Sequence, residues 1–102
     1  MSLLKGKKGL IMGVANERSI AWGISHKLAG AGADLAFTYL GDALKKRVIP
    51  LAKSLNSDFT LSCNVESKEE IIKLFEDIKI KWGQIDFVVH AVAFSDKSEL
   101  SG

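Results

Sequence analysis

Cysteine and proline are nearly missing from this sequence, which has one of each in 102 residues. A single cysteine closes no internal disulfide. No Cys-x-x-Cys pair or cluster of His, Cys, Asp and Glu at ligand spacing accompanies it, so a disulfide scaffold is excluded and no metal site is expected. Cys63 reads as a small buried hydrophobe. Long apolar runs are missing too: none approaches the roughly 18 residues of a membrane span, and the longest candidate, residues 9–15, is interrupted by Gly13. The basic start of the chain is followed by too short an apolar stretch, without a convincing cleavage site, for a secretory signal. Strong charge of either sign is absent. Lys and Arg number 14 against 12 Asp and Glu, a net +2, and the lysines lie singly or in short runs such as Lys45-Lys46-Arg47, so no footprint for nucleic acid or an anionic membrane stands out. With no repeats, linkers or low-complexity tracts, the expectation is one cytoplasmic unit over residues 1–102, without an internal boundary.

What is present is an alternation of short β-rich apolar runs with helix-length amphipathic segments, the pattern of βαβ units and a parallel sheet. Residues 9–12 read as a first strand. Ile20, Ile24 and Leu28 recur at i, i+4 and i+8, with Ala21 and Trp22 alongside, and form the apolar face of a helix that Gly30 and Gly32 end. A second strand follows over 34–39. Asp42 then stands where a helix N-cap belongs, and Leu44, Val48, Leu51, Ala52 and Leu55 follow at helical spacing. Pro50 is expected to kink or split that helix. The third strand is 59–63. Ser67-Lys68-Glu69-Glu70 is a capping box, in which the serine side chain serves an N–H of the first turn and Glu70 reaches back to the cap's own N–H. Ile71, Phe75, Ile78 and Trp82 form the buried stripe, Glu69 with Lys73 and Asp77 with Lys81 are supporting pairs, and Gly83 ends the helix. Residues 86–90 make a fourth strand, and 91–102 read as a loop. The order β-α-β-α-β-α-β, with right-handed crossovers, gives a Rossmann-like, doubly wound α/β sheet of strand order 3-2-1-4. No fifth strand lies beyond the fourth, so the sheet is expected to be the incomplete half of a larger single domain.

Ligands of such sheets sit at the carboxyl ends of the strands, near the switch point between strands one and four. The loop after strand one runs from Gly13 to Gly23. Gly13 suits a tight turn beneath a pyrophosphate, the amides of Ser19 and Ile20 open a helix that can bind phosphate, and Gly23 would let that helix pack closely. The spacing is not G-x-G-x-x-G, and glycines near a helix start also serve as turn and packing residues; no Gly-Lys-Ser/Thr follows, which excludes a Walker A loop. After strand two no arginine or lysine occurs until Lys45, which leaves a 2′-phosphate without a partner and favours NAD(H). Asp42 is either a ribose ligand or the helix cap.

Gly13 followed by five residues and Ser19-Ile20-Ala21-Trp22-Gly23, with Leu35-Ala36-Phe37-Thr38-Tyr39, Asn64-Val65 and His90-Ala91-Val92-Ala93-Phe94, resembles the amino-terminal part of bacterial enoyl-[acyl-carrier-protein] reductase. That family is a divergent branch of the short-chain dehydrogenase/reductases. The resemblance covers essentially all of the chain and implies NADH-dependent reduction of the trans-2 double bond of an acyl-carrier-protein-bound enoyl thioester, in type II fatty-acid biosynthesis, by a homotetramer. It implies that Gly13, Ser19 and Ile20 meet the pyrophosphate and neighbouring ribose, that Leu40 lies near the adenosine ribose, and that Asn64 and Val65 hold the adenine. Val92 and Ala93 would stand beside the nicotinamide ribose, with Phe94 and Ser95 opening the acyl and inhibitor pocket. Three positions depart from the commonest pattern: Asn64 replaces an aspartate, although its amide oxygen can still accept from the adenine amino group, Leu40 replaces a polar residue, and Ala93 replaces a glycine.

The family's catalytic tyrosine and lysine belong to a helix after strand four, where the tyrosine hydroxyl stabilises the enolate oxygen formed on hydride attack. The chain's one tyrosine, Tyr39, ends strand two, so no catalytic residue is expected here and the pair is expected beyond Gly102. His26 and His90 have no partner serine or acid at useful spacing to replace it. Two alternatives stand beside this reading: a reductase of the 3-oxoacyl type, and a nucleotide-binding module without chemistry, whose fourth strand would be an exposed edge.

Overall fold

The computed structural model describes residues 3–12, 14, 20–64 and 66–90. Its elements are β1 (Lys8–Met12), α1 (Ile20–Gly30), β2 (Asp34–Tyr39), α2 (Asp42–Ser54), β3 (Thr60–Ser62), α3 (Lys68–Trp82) and β4 (Phe87–His90). The strands form one parallel sheet in the order β3-β2-β1-β4, as the alternation predicts. In register, Leu10 stands between Ala36 and Val88, and Ile11 between Phe37 and Val89.

Because side chains alternate across a strand, the sheet feeds two cores. Ile11, Leu35 and Phe37 pack with Ala21 of α1 and with Val48 and Ala52 of α2. Leu10, Met12 and Ala36 pack with Phe59, Cys63 and, from α3, Leu74 and Ile78. Right-handed crossovers account for the division: α1 and α2 cover one face and α3 the other. Leu74 joins Ile78 as fully buried, while Ile71, Phe75 and Trp82 pack half-buried beside them.

Several local expectations change. The i, i+4 spacing predicts Ile20 and Ile24 against the sheet, but Ile20 is 78% exposed and Ile24 36%, whereas Ala21 and Ser25 are buried. The helix is turned by about one residue, ~100°, so that its small side chains let it approach the strands; the Ser25 hydroxyl is satisfied on Ala21 O at 2.6 Å. Gly23 consequently faces outward, and a Cβ built there meets nothing within 4 Å, so close packing is not its role among the described residues. Asp42 is not the cap of α2. Gly41 holds that place at φ 88° without any side-chain bond, and Asp42 is in the first turn, where a carboxylate complements the helix dipole. Pro50 neither splits nor ends α2, which runs on to Ser54. Pro50 is exposed, as is Lys46 four residues earlier, so water can serve the carbonyl that the missing N–H leaves open. The Glu69–Lys73 and Asp77–Lys81 pairs do not close; the only ion pair among the described residues is Lys8 Nζ to Asp34 Oδ2, 2.8 Å.

The third strand is shorter than predicted, yet the bonds from Phe37 N to Phe59 O (3.0 Å) and from Cys63 N to Tyr39 O (2.9 Å) bracket it and keep 59–63 in the sheet. Asp86 lies just before β4. Its N–H donates to Lys8 O at 2.7 Å and its carboxylate accepts from Lys8 N at 2.7 Å, which clamps the starts of β1 and β4 together.

Gly9 lies opposite Phe87, and a Cβ built on it would run into the Phe87 ring. Gly9→Ala should therefore cost about 1–3 kcal/mol in urea unfolding, with part recovered when Phe87→Leu is added. Gly23→Ala should raise stability by about 0.5–1 kcal/mol, since only the helix-propensity gain remains.

Candidate functional site

A parallel sheet brings all its carboxyl ends to one edge, here Met12, Tyr39, Ser62 and His90. Directly after β1, Val14 is buried (2% exposed) and anchors the chain beneath that edge. Ile20, the first residue of α1, is exposed there, and Leu40 follows β2 at 51% exposure. Asn64, half-buried, follows β3. The fold thus gathers Ile20, Leu40 and Asn64 on one rim. Gly13, Ser19, Val65, Val92, Ala93, Phe94 and Ser95, and the loop predicted over 91–102, lie outside the described residues.

The turn after β3 is tied more closely than the sequence pattern implies. Ser67 caps α3 as expected, accepting from Glu70 N at 3.3 Å. Glu70 does not complete the box. The Ser67 N–H is already spent on Asn64 O at 3.0 Å, and Glu70 Oε1 instead accepts from Asn64 N at 3.0 Å. Asn64 Oδ1, expected to face an adenine amino group, accepts from Glu66 N at 3.0 Å, an Asx turn that leaves one lone pair of Oδ1 and the Nδ2 donors open. The signal for this arrangement was an Asn two residues before Glu66, overshadowed by the capping box.

Elsewhere on the edge the chemistry is sparse. Tyr39 and Lys46 have the Tyr-x6-Lys spacing, but Tyr39 ends β2 and Lys46 is exposed on α2, so they share no helix. His26 is exposed and meets the Trp22 ring edge-on, centroids 6.3 Å apart, and His90 is exposed at the end of β4. Among the described residues no group of His, Cys, Asp and Glu could hold a metal ion, and no helix is long and apolar enough to cross a membrane. A cleft of about 310 Å³ opens at the other edge of the sheet, lined by Asp34, Asp58, Phe59, Lys81 and Trp82 among others. Its groups largely satisfy one another. Lys81 Nζ lies 4.4 Å from the Phe59 ring centre, Phe59 meets Trp82 edge-to-face at 5.0 Å, and Lys8 lies 5.5 Å from Trp82 while pairing with Asp34.

The family model described as enoyl-(acyl carrier protein) reductase matches residues 13–102. This chain belongs to that family. Among its relatives is enoyl-[acyl-carrier-protein] reductase [NADH] 2 of Rhizobium meliloti (strain 1021), 60% identical over 100 residues that cover 98% of this chain and 37% of the relative. Similar solved structures include the FabI protein of Candidatus Liberibacter asiaticus (TM-score 0.93, 57% identity, 100% of this chain and 40% of that one). Another is the Anaplasma phagocytophilum reductase in complex with NAD (TM-score 0.90, 52% identity, 98% of this chain and 38% of that one). The chain therefore spans about two-fifths of the length of the reductases it matches.

Cys63, buried as predicted, sits between β3 and this turn. Burial, and secondarily the Glu70 charge, push its thiol above the ordinary value of 9.0. Iodoacetamide at pH 8 should therefore modify it far more slowly than a free cysteine and at the full rate only in urea. Since the folded-state value is the raised one, the linked stability is complete below pH 9.0 and should fall as pH rises through the folded value, which urea midpoints across that range measure.

Proposed function

We propose that this chain is the cofactor-binding part of an NADH-dependent reductase that saturates the trans-2 double bond of an enoyl thioester carried on acyl carrier protein, in fatty-acid synthesis. The observation that carries the reading is the 3-2-1-4 sheet with its binding edge in a chain 60% identical to a relative named as an NADH-dependent enoyl reductase. In this reading residues 1–102 are the amino-terminal part of one Rossmann domain, working in the cytoplasm as part of a homotetramer.

The described residues fit a dinucleotide. Ile20, the first residue of α1, is exposed at the rim, and with Gly13 and Ser19 it would receive the pyrophosphate, whose charge suits a helix N-terminus. Leu40 would flank the adenosine ribose. Asp42, which is not the cap, has no side-chain hydrogen bond or ion pair among the described residues, and its carboxylate would take ribose hydroxyls and repel a 2′-phosphate. Asn64 and Val65 would hold the adenine, Val92 and Ala93 the nicotinamide ribose, and Phe94 and Ser95 the near wall of the acyl pocket. The nicotinamide supplies hydride when bound. This chain's share is to bind and orient; the tyrosine and lysine that complete the reaction in the family have no counterpart on these elements.

The test is turnover of a trans-2-enoyl thioester by the protein extended to the length of its relatives, read as loss of NADH absorbance. NADH should be used well ahead of NADPH. Ketone reduction with NADPH and no enoyl turnover would overturn the reading. Leu40→Arg should shift the ratio toward NADPH by about tenfold, because a guanidinium at the ribose pairs with a 2′-phosphate.

A further inference from the structure

We propose that Glu70 is a positioning residue for adenine recognition: its carboxylate holds the Asn64 backbone and so fixes the turn that presents Asn64. The inference rests on the adenine role proposed for Asn64. Three hydrogen bonds join the described residues of the turn, Ser67 N to Asn64 O, Glu66 N to Asn64 Oδ1 and Asn64 N to Glu70 Oε1, each 3.0 Å. The last ties Asn64 itself to α3, beside the bonds that Ser67 accepts from Glu70 N and Ile71 N. The turn's other end is fixed to the sheet, where Cys63 N donates to Tyr39 O at 2.9 Å. Glu70 is itself anchored, its N–H held by the Ser67 hydroxyl at 3.3 Å. Asn64 is therefore suspended between β2 and the first turn of α3, with Oδ1 turned onto Glu66 and Nδ2 left open. A side chain held this way loses little freedom when a base arrives, which is how a supporting contact strengthens binding without touching the ligand.

An ordinary capping-box glutamate would behave differently. It would bond the N–H of Ser67 and stabilise only the helix, whereas here that donor is already occupied and the carboxylate reaches three residues further back. The contact needs an acceptor oxygen at this position and not a negative charge, so glutamine can replace glutamate while alanine cannot.

The test measures binding of NADH, ADP-ribose and nicotinamide mononucleotide to the protein extended to the length of its relatives, as wild type and as Glu70→Ala, Glu70→Gln and Ser67→Ala. Glu70→Ala should weaken NADH and ADP-ribose about five- to twentyfold and leave nicotinamide mononucleotide unchanged. Glu70→Gln should stay within about twofold of wild type. Ser67→Ala, which removes the cap and keeps the Glu70 carboxylate, should lower the melting temperature with a much smaller loss of ADP-ribose affinity. Equal weakening by the alanine and glutamine variants would assign the effect to charge at the helix start and overturn the proposal. So would loss of nicotinamide mononucleotide binding in parallel with ADP-ribose, or ADP-ribose affinity that merely follows melting temperature across the three variants. A wild type that binds NADH with an unaffected Glu70→Ala variant defeats this inference alone; a wild type that binds neither NADH nor ADP-ribose defeats the cofactor reading beneath it.

Discussion

Parallel pairing on both sides of β1 is the constraint from which the rest follows. A strand flanked on both edges and covered on both faces must be apolar where it is covered, and Leu10, Ile11 and Met12 are buried with their neighbours Ala36 and Phe37, while Lys8 stands at the open start. Parallel neighbours require crossovers, crossovers require helices, and the fixed hand of the crossover assigns α1 and α2 to one face and α3 to the other. The same pairing sends every strand's carboxyl end to one rim. Site and core are thus two results of one arrangement: residues inside the ladder hold the sheet, and the first residues beyond it are free to meet a ligand.

The two rims of the sheet differ in character. At the amino edge, Lys8, Asp34, Asp86, Phe59, Trp82 and Lys81 form a closed set of ion-pair, hydrogen-bond and ring contacts. Partly exposed contacts of this kind each contribute about 1 kcal/mol or less, and their value lies in fixing where β1, β2 and β4 begin. At the carboxyl edge, Leu40, Asp42 and the amide nitrogen of Asn64 have no such partners among the described residues.

The element order and the strand order were legible in the sequence because they depend on period and alternation, which sum over many residues. What escaped the pattern depended on single groups competing for one partner. Ile20 and Ile24 fit a helical repeat as well as Ala21 and Ser25 do, and only the closeness of α1 to the sheet decides for the smaller pair. Asp42 and Gly41 both suit a helix start, and the backbone conformation at Gly41 decides. Glu70 stands three residues after a capping serine, but Asn64 O reaches the serine N–H first and redirects the carboxylate. Much of the site that the family resemblance implies, including Gly13, Ser19 and Val92, lies outside the described residues.

The clamp between Lys8 and Asp86 joins residues 78 positions apart, and this has a consequence for how the chain acquires its shape. β1 and β2 can meet as soon as α1 is made, because they belong to one βαβ unit. The other side of β1 has no partner until β4, the last strand among the described residues, has been synthesised, and closing so long a loop is entropically costly before any contact rewards it. On the ribosome the central strand therefore waits, half-paired, through the synthesis of β2, α2, β3 and α3, and that interval is when its apolar edge is open to the wrong neighbour.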